Sequence, residues 1–344
     1  MRINDVKTDV VEAPAGPSYR WRKGIPGSSP AGTRAVIRVI TDAGVEGVAH
    51  ARRGSIVAEV VARRLRDELV GQDPLQREYL WHRIWEVDRI EELPIYALGV
   101  LDVALWDLAG KAAGVPVHQL LGGFRTSIPA YASTVTFESV QEYLDVADQC
   151  LTLGYPAIKL HAWGDARDDA RLCAALRAHV GDDIPLMYDG SAGFDLPDAL
   201  YLGHALADAG YLWYEEPMRE FSITAYRILS EKVRVPLLVA ETSDGAHMNT
   251  ADFITEVSPA FVRTSAAFKG GITGAMRIAH LADAFRIRAE VHGGGAVNRH
   301  LCMAIANTTY YESLIYSNPV QREAAVGPDG HVQAPTEPGI GYES

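Results

Sequence analysis

From about residue 127 onward, short apolar runs return every 20–30 residues or so: IPAYAS, AIKLHAW, IPLMYDG, YLWYEEP, VPLLVAET, FVRTSAA, IRAEVHGG and YYESLI. Runs of this length bounded by turn formers read as strands buried on both faces. Seven stretches with helical spacing separate them, 196–209 and 271–285 being the clearest. Eight strands alternating with helices predict an α/β fold, a parallel barrel whose chemistry gathers at the C-terminal ends of the strands.

The first third of the chain follows other periods. Residues 34–49, RAVIRVITDAGVEGVA, alternate apolar and polar positions around a DAG turn, the pattern of a β-hairpin with one buried face. Residues 55–70 and 74–91 have helical spacing, and 97–113 form an Ala- and Leu-rich helix stopped by Gly114 and Pro116. Between the first strands lies PAGPSYRWRKGIPGSSPAG, residues 14–32, too rich in Pro, Gly and Ser to pack as an element. A loop that long inside a compact domain is functional or disordered, and Trp21 among Arg20, Arg22 and Lys23 favours a lid over an active site. The tail, GPDGHVQAPTEPGIGYES, carries a PDG turn and is expected to return to the N-terminal sheet. The expected division is an α+β capping domain over 1–125, a barrel over 126–320 and a C-terminal segment over 321–344 that rejoins the capping domain.

Composition narrows the function classes. With 48% hydrophobic and 22% charged residues over 344 positions, the chain can bury one large core plus a smaller domain. The net charge of −12 argues against a nucleic-acid partner, which needs a basic face. No run approaches the roughly 20 apolar residues of a membrane span, and MRINDVKTDV lacks the apolar core of a signal peptide, so a cytoplasmic protein is expected. Cys150, Cys173 and Cys302 are odd in number and lie in apolar helix-like segments, which predicts reduced core thiols.

The chemistry is carried first by Asp189, Glu215 and Glu241, about 25 residues apart, each closing an apolar run: LMYDG, LWYEEP and LLVAET. That interval is one strand, helix and return, so three carboxylates converge on one mouth. They repel unless a positive charge sits between them, and oxygen-only ligands suit a hard cation such as Mg²⁺. Lys159 and His161 occupy alternate positions of one strand and point to the same side. Taken singly, each is better explained by a strand-end salt bridge or a satisfied core histidine. Glu216 fits a group that orients a neighbour better than a ligand, and Asp107 with Lys111 is an i,i+4 helix pair without assigned chemistry.

Taken together, ALWDLAGKAAGVPVHQLLGG, the three carboxylates, KGGITG and the closing PGIGYE resemble the mandelate racemase and muconate lactonising branch of the enolase superfamily, nearly end to end. The resemblance implies a modified α/β barrel of the TIM type under an α+β cap, Mg²⁺ on Asp189, Glu215 and Glu241, and removal of the proton α to a substrate carboxylate. The family usually carries Lys at both positions 159 and 161; here the second is His161, the expected base, with Lys159 as its partner. His292, in EVHGGG, matches the histidine of the racemase-like subgroup. The aspartate that orients it there is replaced by Ser265, which leaves His292 either a general acid towards a leaving hydroxyl or a hydrogen-bonding group. Glu312 matches a glutamate that, protonated, donates to the substrate carboxylate. Ser191, Ser265 and the lid residues Arg20 and Trp21 are expected around the substrate.

These polar groups favour a Mg²⁺-dependent dehydratase, a lyase that converts a sugar acid to a 2-keto-3-deoxy acid. A racemase or epimerase needs competent bases on both faces, and a cycloisomerase of a lactone or anhydro acid is a third reading. A homologue that binds an acid without turnover is a fourth. A homo-oligomer is implied by the resemblance alone.

Overall fold

The computed structural model describes residues 1–13, 18–28 and 32–342; 14–17 and 29–31 of the expected lid and the last two residues of the tail lie outside them. Strands β1 (Ile3–Ala13), β2 (Gly32–Thr41) and β3 (Glu46–Arg52) form an antiparallel sheet in that order. The hairpin expected around Asp42–Gly44 joins β2 to β3, and Ala35, Ile37 and Val39 of β2 are fully buried at alternate positions. Helices α1 (Gly54–Val60), α2 (Arg66–Leu69), α3 (Arg77–Glu91) and α4 (Ile95–Ala113) complete the cap, with a π-helical turn over Val61–Leu65. Helix α4 crosses β3 so closely that a Cβ on Gly47 would lie 2.1 Å from the carbonyl of Ala104. Short helix α5 (Val117–Leu120) leads to the barrel.

All eight expected strands form: β4 (Ser127–Thr134), β5 (Ile158–His161), β6 (Leu186–Asp189), β7 (Trp213–Glu215), β8 (Leu237–Val239), β9 (Phe261–Thr264), β10 (Arg288–Val291) and β11 (Tyr311–Ile315). They run parallel in the order β10-β9-β8-β7-β6-β5-β4-β11. The two ends of this curled sheet meet through single contacts rather than a ladder, Val291 N–H on the Thr308 hydroxyl (3.4 Å) and Gly293 N–H on the Glu312 carboxylate (2.6 Å). Alternating with the strands are α6 (Val140–Thr152), α7 (Ala166–Val180), α8 (Leu196–Asp208), α9 (Ile223–Lys232), α10 (Ala246–Val257), α11 (Gly271–Ala284) and α12 (Ala296–Ala304). Four of them start where the sequence supplies a cap: Ser139, Asp165, Asp195 and Ser222 each accept an N–H of the first turn.

Tyr131, Ala157, Met187, Trp213, Leu238 and Phe261 close the barrel floor as one buried cluster. Two residues further along β5, β6, β7 and β9, on the same inward side, stand Lys159, Asp189, Glu215 and Arg263, all buried.

The tail returns to the N-terminal sheet by way of the barrel. Its strand β12 (His331–Gln333) pairs antiparallel with β4, a barrel strand, not with the N-terminal sheet. Only beyond it does the chain reach the cap: Gly339 accepts from Val117 N–H (3.0 Å), Ile340 donates to Asp107 (2.7 Å), and Tyr342 stacks on His50 at 4.4 Å. Asp107 also accepts from Val48 N–H and Lys111, and so ties β3, α4 and the tail together. The three cysteines are free and buried, and burial pushes the Cys150 thiol up to about 12. Among the described residues, no helix is long and apolar enough to cross a membrane.

Candidate active site

Asp189 and Glu215 are the last residues of β6 and β7 and are register partners. Glu241 follows β8 in a short loop. One oxygen from each of the three lies within 4.8 Å of the others, in a buried setting. Lys159 reaches into this cluster, 3.1 Å from Asp189, 2.9 Å from Glu215 and 2.8 Å from Glu312. Burial disfavours its charge, but Glu215 and Glu312 outweigh that and hold the ammonium well above its usual range.

Arg263 is a second buried cation, which sequence reasoning missed. Its guanidinium engages both oxygens of Glu215 and donates to the Tyr131 hydroxyl (2.9 Å) and the Val291 carbonyl (3.1 Å). The signal was available, because Arg263 stands two residues before Ser265 in FVRTS and strand parity puts both on the inward face. Lys159 and Arg263 face four carboxylates, Asp189, Glu215, Glu241 and Glu312, a deficit of two positive charges that one divalent cation would fill. Glu241 carries the mark of that deficit: its Oε2 is buried without a hydrogen-bond partner among the described residues, and burial beside Glu216, Glu215 and Asp189 pushes its carboxyl far up. This donor set fits Mg²⁺, and Asp189, Glu215 and Glu241 are the residues that would hold it.

The two histidines stand on strands far apart in the sheet order. On β5, His161 Nδ1 lies 2.6 Å from the Thr134 carbonyl, which assigns the proton to Nδ1 and leaves Nε2 facing the mouth, 3.0 Å from Asp189. His292, just past β10, meets Glu241 at 3.1 Å and lies against the Phe268 ring at 5.2 Å. The acid beside it comes from the end of β8, and none comes from position 265. Burial pushes its imidazole down to about 4. The Ser265 hydroxyl oxygen accepts the N–H of Phe268 (3.1 Å).

At Glu312 burial favours the protonated form, while Lys159 and Arg263 oppose it and hold the carboxyl well below its usual range; one of its oxygens lies 2.8 Å from the Lys159 ammonium. Glu216 accepts from the Thr242 hydroxyl (2.6 Å) and stays outside the trio.

Lid residues 18–28 lie over the mouth. The Trp21 ring sits 4.5 Å from the His161 ring. Arg20 is exposed, and only its carbonyl docks, on Thr136 N–H (2.9 Å). The arginine that inserts is Arg22, which donates to the Ser191 carbonyl (3.0 Å) and packs so tightly that a Cβ on Gly193 would lie 2.7 Å from its Cδ. Ser191, half-buried, bonds Asp189 through its N–H (2.9 Å).

Comparison with known proteins agrees with this geometry. Residues 142–344 match the model of the enolase C-terminal domain-like family, and residues 27–122 match that of the mandelate racemase/muconate lactonizing enzyme N-terminal domain. The fold resembles a solved D-glucarate dehydratase from Agrobacterium tumefaciens complexed with magnesium, with a TM-score of 0.92 and 32% identity over 99% of this chain and 96% of that one. A D-galactonate dehydratase family member from Streptomyces bingchenggensis is 28% identical, over 92% of this chain and 89% of its own length. A 3,6-anhydro-α-L-galactonate cycloisomerase from Streptomyces coelicolor is 30% identical, over 84% of this chain and 81% of its own. With its two domains, its buried acidic trio and matches covering most of its length, the chain is a Mg²⁺-dependent enzyme that belongs to the mandelate racemase/muconate lactonizing enzyme family of the enolase superfamily.

Proposed function

We propose that this enzyme dehydrates a sugar acid to a 2-keto-3-deoxy acid. The observation that carries the reading is the inequality of the two imidazoles. His161 is anchored through Nδ1 on the Thr134 carbonyl, with Nε2 at the mouth beside Asp189 at 3.0 Å. His292 has no backbone anchor of that kind among the described residues, and its Nε2 meets Glu241 at 3.1 Å. Racemisation requires a competent base on each face of the substrate, whereas elimination requires one base and a polar group beside the departing hydroxyl.

When bound, Mg²⁺ supplies positive charge against the substrate carboxylate, where negative charge grows as the α-proton leaves. The chain's own residues do the rest. Lys159 stays protonated, adding positive charge between Asp189, Glu215 and Glu312 and leaving proton abstraction to His161 Nε2. Trp21 covers the His161 ring and keeps water from it. His292 hydrogen-bonds the β-hydroxyl as its C–O bond breaks; the departing hydroxide and the α-proton taken by His161 together make up the one water lost, and the enol left behind becomes the 2-keto-3-deoxy acid. The dehydratases among the relatives support this reading.

The test is a screen of the purified protein with Mg²⁺ against mono- and dicarboxylic sugar acids, with 2-keto-3-deoxy products detected by a carbonyl reagent. Dehydration of at least one acid is expected. Turnover confined to lactones or anhydro acids would instead establish the cycloisomerase reading, which the 30% identical relative favours. Exchange or inversion at the α-carbon without loss of water would overturn dehydration in favour of a racemase.

A further inference from the structure

Two of the three carboxylates are held by the sheet. Asp189 pairs with His161 on one side and Glu215 on the other, inside regular ladders. Glu241 has no such support: β8 ends at Val239, and the next residue, Ala240, turns into the left-handed region at φ 65°. That turn aims four successive N–H groups at one acceptor, the carboxylate of Glu220 from the loop after β7. Ala240 and Glu241 donate to Oε1, the second at 3.2 Å, while Thr242 and Ser243 donate to Oε2, each at 2.8 Å. Concave runs of N–H groups of this kind bind anions, and here the anion is part of the chain. Lys269, in the loop after β9, takes the acceptor side and donates to the Ser243 carbonyl (2.7 Å) and hydroxyl (3.2 Å).

Glu220 and Lys269 are only 6% and 1% exposed. Burial raises the Glu220 carboxyl and lowers the Lys269 ammonium, and after burial each charge is the strongest influence on the other. A buried charge pair is a poor way to stabilise a fold, since apolar groups of the same volume do as well or better. It is an effective way to impose a conformation on a backbone the sheet does not reach.

We propose that Glu220 and Lys269 are positioning residues for Glu241, clamping the Ala240–Ser243 backbone so that Oε2 of Glu241 is presented to Mg²⁺. The proposal rests on the assignment of Asp189, Glu215 and Glu241 as the metal site.

Calorimetric titration of the metal-free, full-length protein with Mg²⁺ tests it, together with amide hydrogen exchange. The double variant Glu220→Gln/Lys269→Met removes both charges at once and is expected to fold. Its Mg²⁺ affinity should fall about 10–100-fold, as when groups that orient a metal ligand are lost. Amides 240–243 should exchange faster while those of β6 and β7 do not. Lys269→Arg, which keeps charge and donors, should bind close to the unmodified value. If the double variant does not fold, Lys269→Met alone, which leaves the four N–H bonds to Glu220 in place, serves for the same titration. Unchanged affinity in a folded variant would overturn the proposal, and so would faster exchange spread equally over all strand ends, the mark of a merely structural pair. Absence of binding by the unmodified protein would overturn the metal site itself and the clamp with it.

Discussion

Along β6, β7 and β9, and on the approach into β5, the inward positions run Met187 then Asp189, Trp213 then Glu215, Phe261 then Arg263, and Ala157 then Lys159. The first of each pair belongs to the floor, where apolar side chains pack with one another. The second belongs to the mouth, where charges are stripped of water and must compensate each other. Backbone strain gathers at the mouth as well: Ser191, Glu216 and Ala240, each within two residues of one of the three carboxylates, have φ of 44°, 39° and 65°. Non-glycine residues in that region cost energy and persist where the surroundings over-determine them. One turn of the pleat thus separates what holds the barrel together from what it holds in readiness. Substitutions in the two layers should therefore fail in different ways.

The largest effect belongs to the mouth. His161→Asn should slow exchange of the substrate α-proton with deuterated water by about 10²–10⁴-fold, the usual contribution of a general base, while the unfolding midpoint stays put, because Asn can still donate to the Thr134 carbonyl. Exchange that persists in this variant would move the base to another residue. On the floor, Trp213→Ala should lower the unfolding free energy by about 3–5 kcal/mol in denaturant titrations. Trp213 also donates to Glu215 at 3.2 Å, so Trp213→Phe separates packing from that bond. If Trp213→Phe costs as much as Trp213→Ala, the floor acts through the hydrogen bond and the contrast between layers is blurred.

A third prediction concerns a charge buried far from the mouth. Asp102 of α4 accepts from Thr273 N–H (2.9 Å) and hydroxyl (2.6 Å) at the start of α11, and burial pushes its carboxyl up to about 6. Between about pH 4 and 6 the folded state keeps a proton that the unfolded chain has lost, so this group's contribution to stability falls as pH rises, by about 3 kcal/mol for a rise from 3.8 to about 6. Asp102→Asn lacks that fall. Its unfolding free energy relative to the unmodified protein should improve between pH 4.5 and 7, and a difference that stays constant would mean the acid is not shifted. The smallest effect is expected for Ala240→Gly, which relieves the left-handed backbone and should stabilise by about 1 kcal/mol. A loss of stability there would show that the turn is unstrained.

Much of this was legible from local patterns. The hairpin, the eight strands and the seven helices between them appear in the chain as changes of period and as caps, because each depends on residues that are near in sequence. Convergence of Asp189, Glu215 and Glu241 was legible for the same reason, since repeating strand–helix units bring strand ends to one mouth. The exceptions share a cause. The downward pull on the Glu312 carboxyl comes from Lys159 and Arg263, which lie 153 and 49 residues away in the chain. The Ser265 hydroxyl oxygen accepts an N–H of the turn that follows it, and Arg22 rather than Arg20 enters the lid's seat because Gly193 leaves room for it.

The sequence by itself therefore determined the elements, their order and the identity of the carboxylates at the mouth, because hydrophobic period and turn chemistry act over a few residues. Which charges meet, which are neutralised, where the tail docks and what holds Glu241 in place were decided only by the tertiary structure. Burial and Coulomb interactions depend on distance in space, and the residues that set them at this mouth come from strands and loops spread over half the chain.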